Sequence, residues 1–166
     1  MADPITHLVI FEIAGVRCGL DRAETGPLLP LARLWRPPVA PPALAGFLNL
    51  GGTAVPVIDL AHVLGLGEAL ADPEDRVYWH LILARNGTMA LLVERVVDVQ
   101  ALPSSRIEAV AGDDSLNGCV LGEAEIGTSL VHVLAVDRIL MAEERQSLAA
   151  LRREAEERLA EWAAAG

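Results

Sequence analysis

A mostly β, small-barrel fold with one long helix is predicted by three observations. Most of the 166 residues fall into short segments with the two-residue period of strands, glycine and proline turns separate those segments, and a single sizeable helical stretch stands at the C-terminal end. Each element can be justified in order. His7–Ile13 and Val16–Leu20 flank Ala14-Gly15 and read as a first hairpin. Residues 21–43 carry Gly26-Pro27, Pro30, Pro37-Pro38 and Pro41-Pro42, which forbid a long helix and keep the chain extended or turning. Trp35, in the middle of that stretch, is expected to anchor it by burying a large ring.

The most informative stretch is Leu44–Gly65, LAGFLNLGGTAVPVIDLAHVLG. An apolar run interrupted by Asn49 meets Gly51-Gly52, and the β-branched run Thr53–Ile58 follows. Both turn residues can take φ > 0 without a Cβ clash, which selects the primed turns that match strand twist. Pro56 cannot donate to a ladder, so its strand is expected to be an edge there or to carry a bulge. Asp59 stands where a helix N-cap belongs, its carboxylate poised to accept N–H bonds from the short helix Leu60–Leu64, which Gly65 stops.

Beyond a polar linker at Glu68–Asp75, three strands are expected at Val77–Ala84, Thr88–Val93 and Val96–Leu102, the first two joined through Arg85-Asn86-Gly87. Gly112–Ser115 is a loop, Cys119–Ala124 and Ser129–Leu134 can pair, and helix begins at Asp137. From Ala142 to Ala165 the chain is built almost wholly of Ala, Leu, Glu, Arg and Gln, strong helix formers. Met141, Leu148, Ala155 and Trp162 recur every seven residues with Leu151 and Leu159 beside them, giving one apolar stripe. Such a stripe packs on its own sheets or reaches a partner or a second copy. Arg158 and Glu144 interrupt the seam that a self-sufficient coiled coil would want.

Composition narrows the function. An apolar content of 52% is ample for a core, while no apolar run approaches the ~18 residues of a membrane span. Met1–Pro4 shows no basic export region, so the expected compartment is the cytoplasm, and Cys18 and Cys119 are expected to be reduced and buried. A net charge of −10 disfavours nucleic acid and anionic lipid. The thirteen basic residues are all arginine.

Catalytic signatures are missing. There is no phosphate-cradling G-x-x-x-x-G-K-[ST], no G-x-S-x-G elbow, no C-x-x-C and no H-E-x-x-H. Cys119, His132 and Asp137 are the one set with nucleophile, base and orienter chemistry, and as a thiol hydrolase they would have to converge to within about 6 Å. His7, His62, His80 and His132 are each solitary, which argues against a metal site, and Asp113-Asp114 lacks a Ca²⁺-loop pattern. No enzyme activity, cofactor or metal is expected.

The Leu44–Gly65 stretch resembles the signature of the CheW family of chemotaxis adaptor domains, roughly V-x-G-x-x-N-L-R-G-x-x-x-P-V-x-D-L-R-x-x-L-G. Gly46, Asn49, Leu50, Gly52, Pro56, Val57, Asp59, Leu60, Leu64 and Gly65 stand at matching positions. Gly87–Val99 is similar to the family's G-x-x-x-G-L-L-V-D-x-V-x-x-V, and Leu130–Leu140 is similar to its closing strand and helix start. Two positions depart: Gly51 replaces the family's partner-contacting arginine, and Ala135 replaces an acid or amide.

The resemblance implies two five-stranded SH3-like lobes over residues 5–142, lobe one at about 5–66 with a return from 130 and lobe two at about 76–129, followed by a helical extension at 143–166. It implies a cytoplasmic, non-enzymatic scaffold that couples the cytoplasmic tip of a chemoreceptor, a methyl-accepting protein, to the regulatory domain of a CheA-type histidine kinase. Gly46, Asn49, Leu50, Gly51, Gly52 and Pro56 are then the candidates for lining or shaping a partner surface, with Asp59 and Trp35 structural. No nucleic acid or membrane insertion is implied, and the C-terminal helix offers a route to a homo-oligomer. A self-assembling scaffold without a kinase, or a small thiol hydrolase, are the alternative functions.

Overall fold

The structure, a computed structural model, describes residues 3–39, 41, 43–66, 79–110, 119–139 and 142–165, with backbone alone for 142–150 and 165. Eleven strands form two sheets among these residues. The first sheet contains β1 (Ile5–Ile13), β2 (Val16–Asp21), β8 (Arg95–Pro103), β9 (Glu108–Ala109), β10 (Val120–Ile126) and β11 (Ser129–Leu134), in the order β8-β1-β2-β11-β10-β9. The second contains β3 (Thr25–Pro30), β4 (Leu44–Leu50), β5 (Thr53–Asp59), β6 (His80–Ala84) and β7 (Ala90–Val93), in the order β3-β6-β7-β5-β4. Helices α1 (Leu60–Val63), α2 (Val136–Ile139) and α3 (Ala142–Ala165) complete the chain.

The strand segments expected from the sequence are present, but they are shared between the sheets differently, and one sheet has six strands rather than five. Residues 25–59 pair with 80–93, whereas 5–21 pair with 95–134. The chain therefore changes sheet at Arg22–Glu24 and again at Glu94, and the expected crossing near 66–75 is corrected. The reason is long-range pairing: β3 lies antiparallel to β6 and β5 lies parallel to β7, so the strands on either side of 67–78 belong to one sheet. The first crossing is a turn of 3₁₀ helix in which the Asp21 carboxylate accepts from the Ala23 N–H at 2.9 Å. The Glu68–Asp75 linker, the first residues of the strand expected at Val77–Ala84, and the 112–115 loop lie outside the described residues.

β1 shows why its sequence is nearly all apolar. Val9, Phe11 and Ile13 face the main core, which the two sheets share, while Leu8 and Ile10 face a second cluster with Leu102, Ala124, Val131 and Val133. A strand buried on both faces loses the apolar–polar alternation. The prolines of β3 stand where a missing N–H costs little. Pro27 and Pro30 lie on β3, an edge of the second sheet. The other sheet's edge strand, β8, is guarded differently: the Asp98 carboxylate accepts from the Val99 N–H at 2.7 Å, occupying a donor that an incoming strand would need.

The Ala14-Gly15 turn holds Ala14 at φ 49 and Gly15 at φ 79, and the Ala14 N–H donates to Glu94 Oε1 at 3.0 Å. Ala14 is a left-handed residue with a Cβ, a conformation that asparagine tolerates better. Ala14→Asn is expected to raise the unfolding free energy by roughly 0.5–1 kcal/mol, the strain of an alanine in this region being about 1 kcal/mol or more. Urea denaturation checks it, and an unchanged or lower midpoint would show that the Glu94 bond already holds the turn at no cost.

Candidate adaptor surface

The β4–β5 hairpin is closed by Gly51 at φ 62 and Gly52 at φ 90, so both central residues take the left-handed region, as the Gly-Gly pair requires. Asn49 Oδ1 accepts from the Gly52 N–H at 2.9 Å and pins the tip. Asn49, Leu50, Gly51 and Gly52 are exposed, Leu50 at 41% at the end of β4. Gly46 and Pro56 are buried and shape the hairpin from beneath instead of lining its surface.

Pro56 sits on an interior strand, yet at a point where that strand is locally an edge. β5 pairs with β7 only from Val57 onward. Phe47, opposite Pro56, turns both its N–H and its carbonyl away from β5 to Trp35, so the absent Pro56 N–H would have faced the unpaired side. A bulge lies close by, between Leu44 and Gly46. Asp59 differs from expectation: its side chain makes no capping bond into α1. The residue belongs to the sheet, paired with Leu92, its N–H donating to the Ala43 carbonyl at 2.8 Å, and α1 is a single turn.

Trp35 is half-buried and extends the second sheet by one bridge beyond β4. Its N–H donates to the Phe47 carbonyl at 2.9 Å, the Phe47 N–H donates back at 2.6 Å, and the two rings lie 5.9 Å apart at 39°. Such a tilted pair suits the aromatic quadrupoles. Gly46 is what lets this segment approach: a Cβ there would stand 2.8 Å from Leu34 Cβ and 2.9 Å from the Trp35 carbonyl oxygen, and its φ is 153. Helix α3 closes over the same place. Ala155 is fully buried, Leu151 and Leu159 are half-buried against the main core, and α3 packs on β4 and β5. Trp162, which continues the stripe, is 71% exposed.

A second surface was not foreseen from sequence. Where the β1–β8 edge of one sheet meets β3 of the other, an open groove of about 820 Å³ runs past Ile5, His7, Val9, Leu28 and Val99, with Arg22 and Arg85 on its polar side. Ile5, Leu28 and Val99 are 56%, 43% and 42% exposed. They are far apart in sequence, on three strands of two sheets, and no local pattern distinguishes them from ordinary core positions.

The hydrolase alternative fails on geometry. Cys119 is buried with its thiol directed to the Arg138 carbonyl at 3.4 Å, while the His132 imidazole lies beside Glu123 on the next strand, Nδ1 to Oε1 3.4 Å. Glu123, the residue opposite His132, is four positions from Cys119, about 13 Å along a strand. Cys18 and Cys119 are both free thiols, and burial pushes Cys18 from 9.0 up to about 12. No group of three potential metal ligands occurs among the described residues, and none of their helices is long and apolar enough to cross a membrane.

Two sheets thus share a core and carry an exposed glycine hairpin and an inter-sheet groove. The chain belongs to the CheW family: the CheW-like domain matches residues 7–144. It is similar in structure to the scaffolding protein TtCheW from Thermoanaerobacter tengcongensis, with a TM-score of 0.74 and 20% identity over 86% of this chain and 92% of that one. No curated protein sequence matches it significantly. As a member of this family the chain is a non-enzymatic chemotaxis scaffold.

Gly46→Ala is expected to cost at least about 2 kcal/mol, because the new Cβ has backbone and a neighbouring Cβ in its way. Gly51→Ala, which meets nothing within 4 Å, should cost only the left-handed backbone term of about 1 kcal/mol. Equal losses in parallel urea titrations would show that the Leu34–Trp35 segment yields freely.

The thiols give a second test. Because the folded value of Cys18 lies above that of an exposed thiol, the native state keeps the proton, and this group's contribution to stability is intact below pH 9 and declines as pH rises toward 12. Native protein at pH 8.5 is expected to take up no iodoacetamide at Cys18 or Cys119, and both should label in urea. Rapid labelling without denaturant would contradict the burial.

Proposed function

We propose that this chain couples the cytoplasmic tip of a chemoreceptor to the regulatory domain of a CheA-type histidine kinase, in the cytoplasm. The observation that carries the proposal is the pairing, in one CheW-like domain, of two surfaces with different shapes. The open inter-sheet groove, apolar along Ile5, Leu28 and Val99 and flanked by Arg22 and Arg85, fits an amphipathic helix such as a receptor tip. The exposed Asn49–Gly52 tip fits a barrel face of the kinase domain, where burial of Leu50 and main-chain pairing supply the energy. A net charge of −10 leaves nucleic acid and anionic membrane as poor partners.

Gly51 is where this chain departs from the arginine that the family signature carries. At φ 62, with nothing within 4 Å of a built Cβ, an arginine there adds a long cation at the tip without disturbing the core. Gly51→Arg is expected to fold with a loss of about 1 kcal/mol and to weaken the cognate kinase domain several-fold by clash and desolvation. Leu28→Asp is expected to leave kinase binding intact and to weaken the receptor tip at least tenfold, about 1.4 kcal/mol. Calorimetric titration with each cognate partner reads both. Unchanged affinities in folded variants would remove the hairpin or the groove, respectively, from the interface.

A further inference from the structure

The ionisable side chains lining the inter-sheet groove are His7, Asp21, Arg22 and Arg85. In a chain of net charge −10, two guanidiniums against one carboxylate make this groove locally cationic. Arg17 and Arg95 both reach Glu12, whereas neither Arg22 nor Arg85 forms an ion pair among the described residues, and both are exposed. The carboxylates that flank Arg22 in sequence are engaged with main chain. Asp21 Oδ1 accepts from the Ala23 N–H at 2.9 Å, and Glu24 Oε2 accepts from the Val136 N–H at 3.5 Å. One guanidinium N–H of Arg85 donates to the Ala23 carbonyl at 3.3 Å, which leaves most of its donors unspent.

From this we infer that Arg22 and Arg85 are specificity-determining residues of the groove, and that its occupant is a receptor helix carrying Asp or Glu beside its apolar stripe. The inference deepens the proposed receptor contact and rests on it. The apolar wall fixes where the stripe lies, with Ile5 and Val99 supplied by one sheet and Leu28 by the other. A carboxylate flanking that stripe then meets the polar side of the groove, where a guanidinium can bind both of its oxygens. The bond from Arg85 to Ala23 orients this side chain beforehand, so less freedom is lost on binding. Apolar contacts alone accept many helices, whereas a cationic flank favours an acidic helix and repels one flanked by lysine or arginine. The acidic remainder of the chain repels the same helix, which confines the attraction to this groove.

The test titrates two forms of the cognate receptor-tip fragment, its own sequence and one with the carboxylates flanking its apolar stripe changed to amides. Each is added to the full chain and to its Arg22→Gln, Arg85→Gln and Leu28→Asp variants, with circular dichroism checking each fold. Arg22 makes no side-chain bond among the described residues, so Arg22→Gln carries the test should Arg85→Gln loosen the turn. Each arginine variant is expected to bind the unaltered tip about tenfold more weakly than the parent chain does. The amide tip should bind the parent chain equally weakly and lose nothing further to either arginine variant. An amide tip that binds as tightly as the unaltered one, or a cognate tip with no carboxylate there, overturns the carboxylate as the group recognised. Binding that Leu28→Asp weakens and both arginine variants leave unchanged overturns the charge reading and leaves the groove as the receptor site. Binding that Leu28→Asp also leaves unchanged, or no binding by the parent chain, overturns the receptor contact and this inference with it. Sedimentation of the chain alone is expected to show no self-association that Arg22→Gln abolishes; if it does, the occupant is a second copy and the receptor helix is overturned.

Discussion

One backbone exchange underlies the β4–β5 end of this molecule: Trp35 and Phe47 each donate to the other, at 2.9 and 2.6 Å. It satisfies the outward groups of an edge strand at their midpoint, so β4 cannot be extended there by a foreign strand. It brings the Trp35 ring to 5.9 Å from the Phe47 ring, and Trp35, Leu159 and Trp162 line one small cleft. It also forces glycine at position 46, because the two segments come closer than a Cβ permits. By engaging both the N–H and the carbonyl of Phe47, the exchange leaves no group of Phe47 in need of the N–H that Pro56 lacks. Four features of the family signature's neighbourhood thus trace to one pair of hydrogen bonds.

The local elements were legible because their causes are local. Gly51-Gly52 and Asn86-Gly87 announce turns through the backbone conformations they permit, and the structure places the turns there, with Asn49 and Asn86 accepting N–H bonds across them. The apolar stripe of α3 was readable from its spacing, and Leu151, Ala155 and Leu159 do face the core. Exposure at the hairpin divides the candidate residues in a way that the signature could not: Asn49 and Leu50 are exposed, whereas Gly46 and Pro56 are buried.

What sequence did not disclose depends on pairing between distant segments. A polar linker looks the same whether it joins two lobes or two strands of one sheet, so residues 68–75 suggested a crossing that the structure puts at Arg22–Glu24 and Glu94. Asp59 carries the chemistry of a cap and stands at the N-cap position of α1, but its side chain makes no capping bond there, and the direction a side chain takes is invisible in a one-dimensional pattern. The groove is the extreme case. Ile5, Leu28 and Val99 each sit in an ordinary strand sequence, and only the meeting of β1, β3 and β8 leaves them exposed together.

The two sheet changes explain why such a groove exists at all. At Arg22–Glu24 the chain turns within three residues, and Arg85 fastens that turn to the second sheet, its main-chain N–H donating to the Glu24 carbonyl at 3.0 Å and its guanidinium to the Ala23 carbonyl at 3.3 Å. A connection this short holds the first strand of one sheet against the edge of the other, yet it cannot fill the angle between two twisted sheets that diverge from it. The space left over is lined by what surrounds it: apolar residues from β1, β3 and β8, Arg22 of the turn, and Arg85 that fastens the turn. The same constraint that joins the sheets therefore creates the open surface between them.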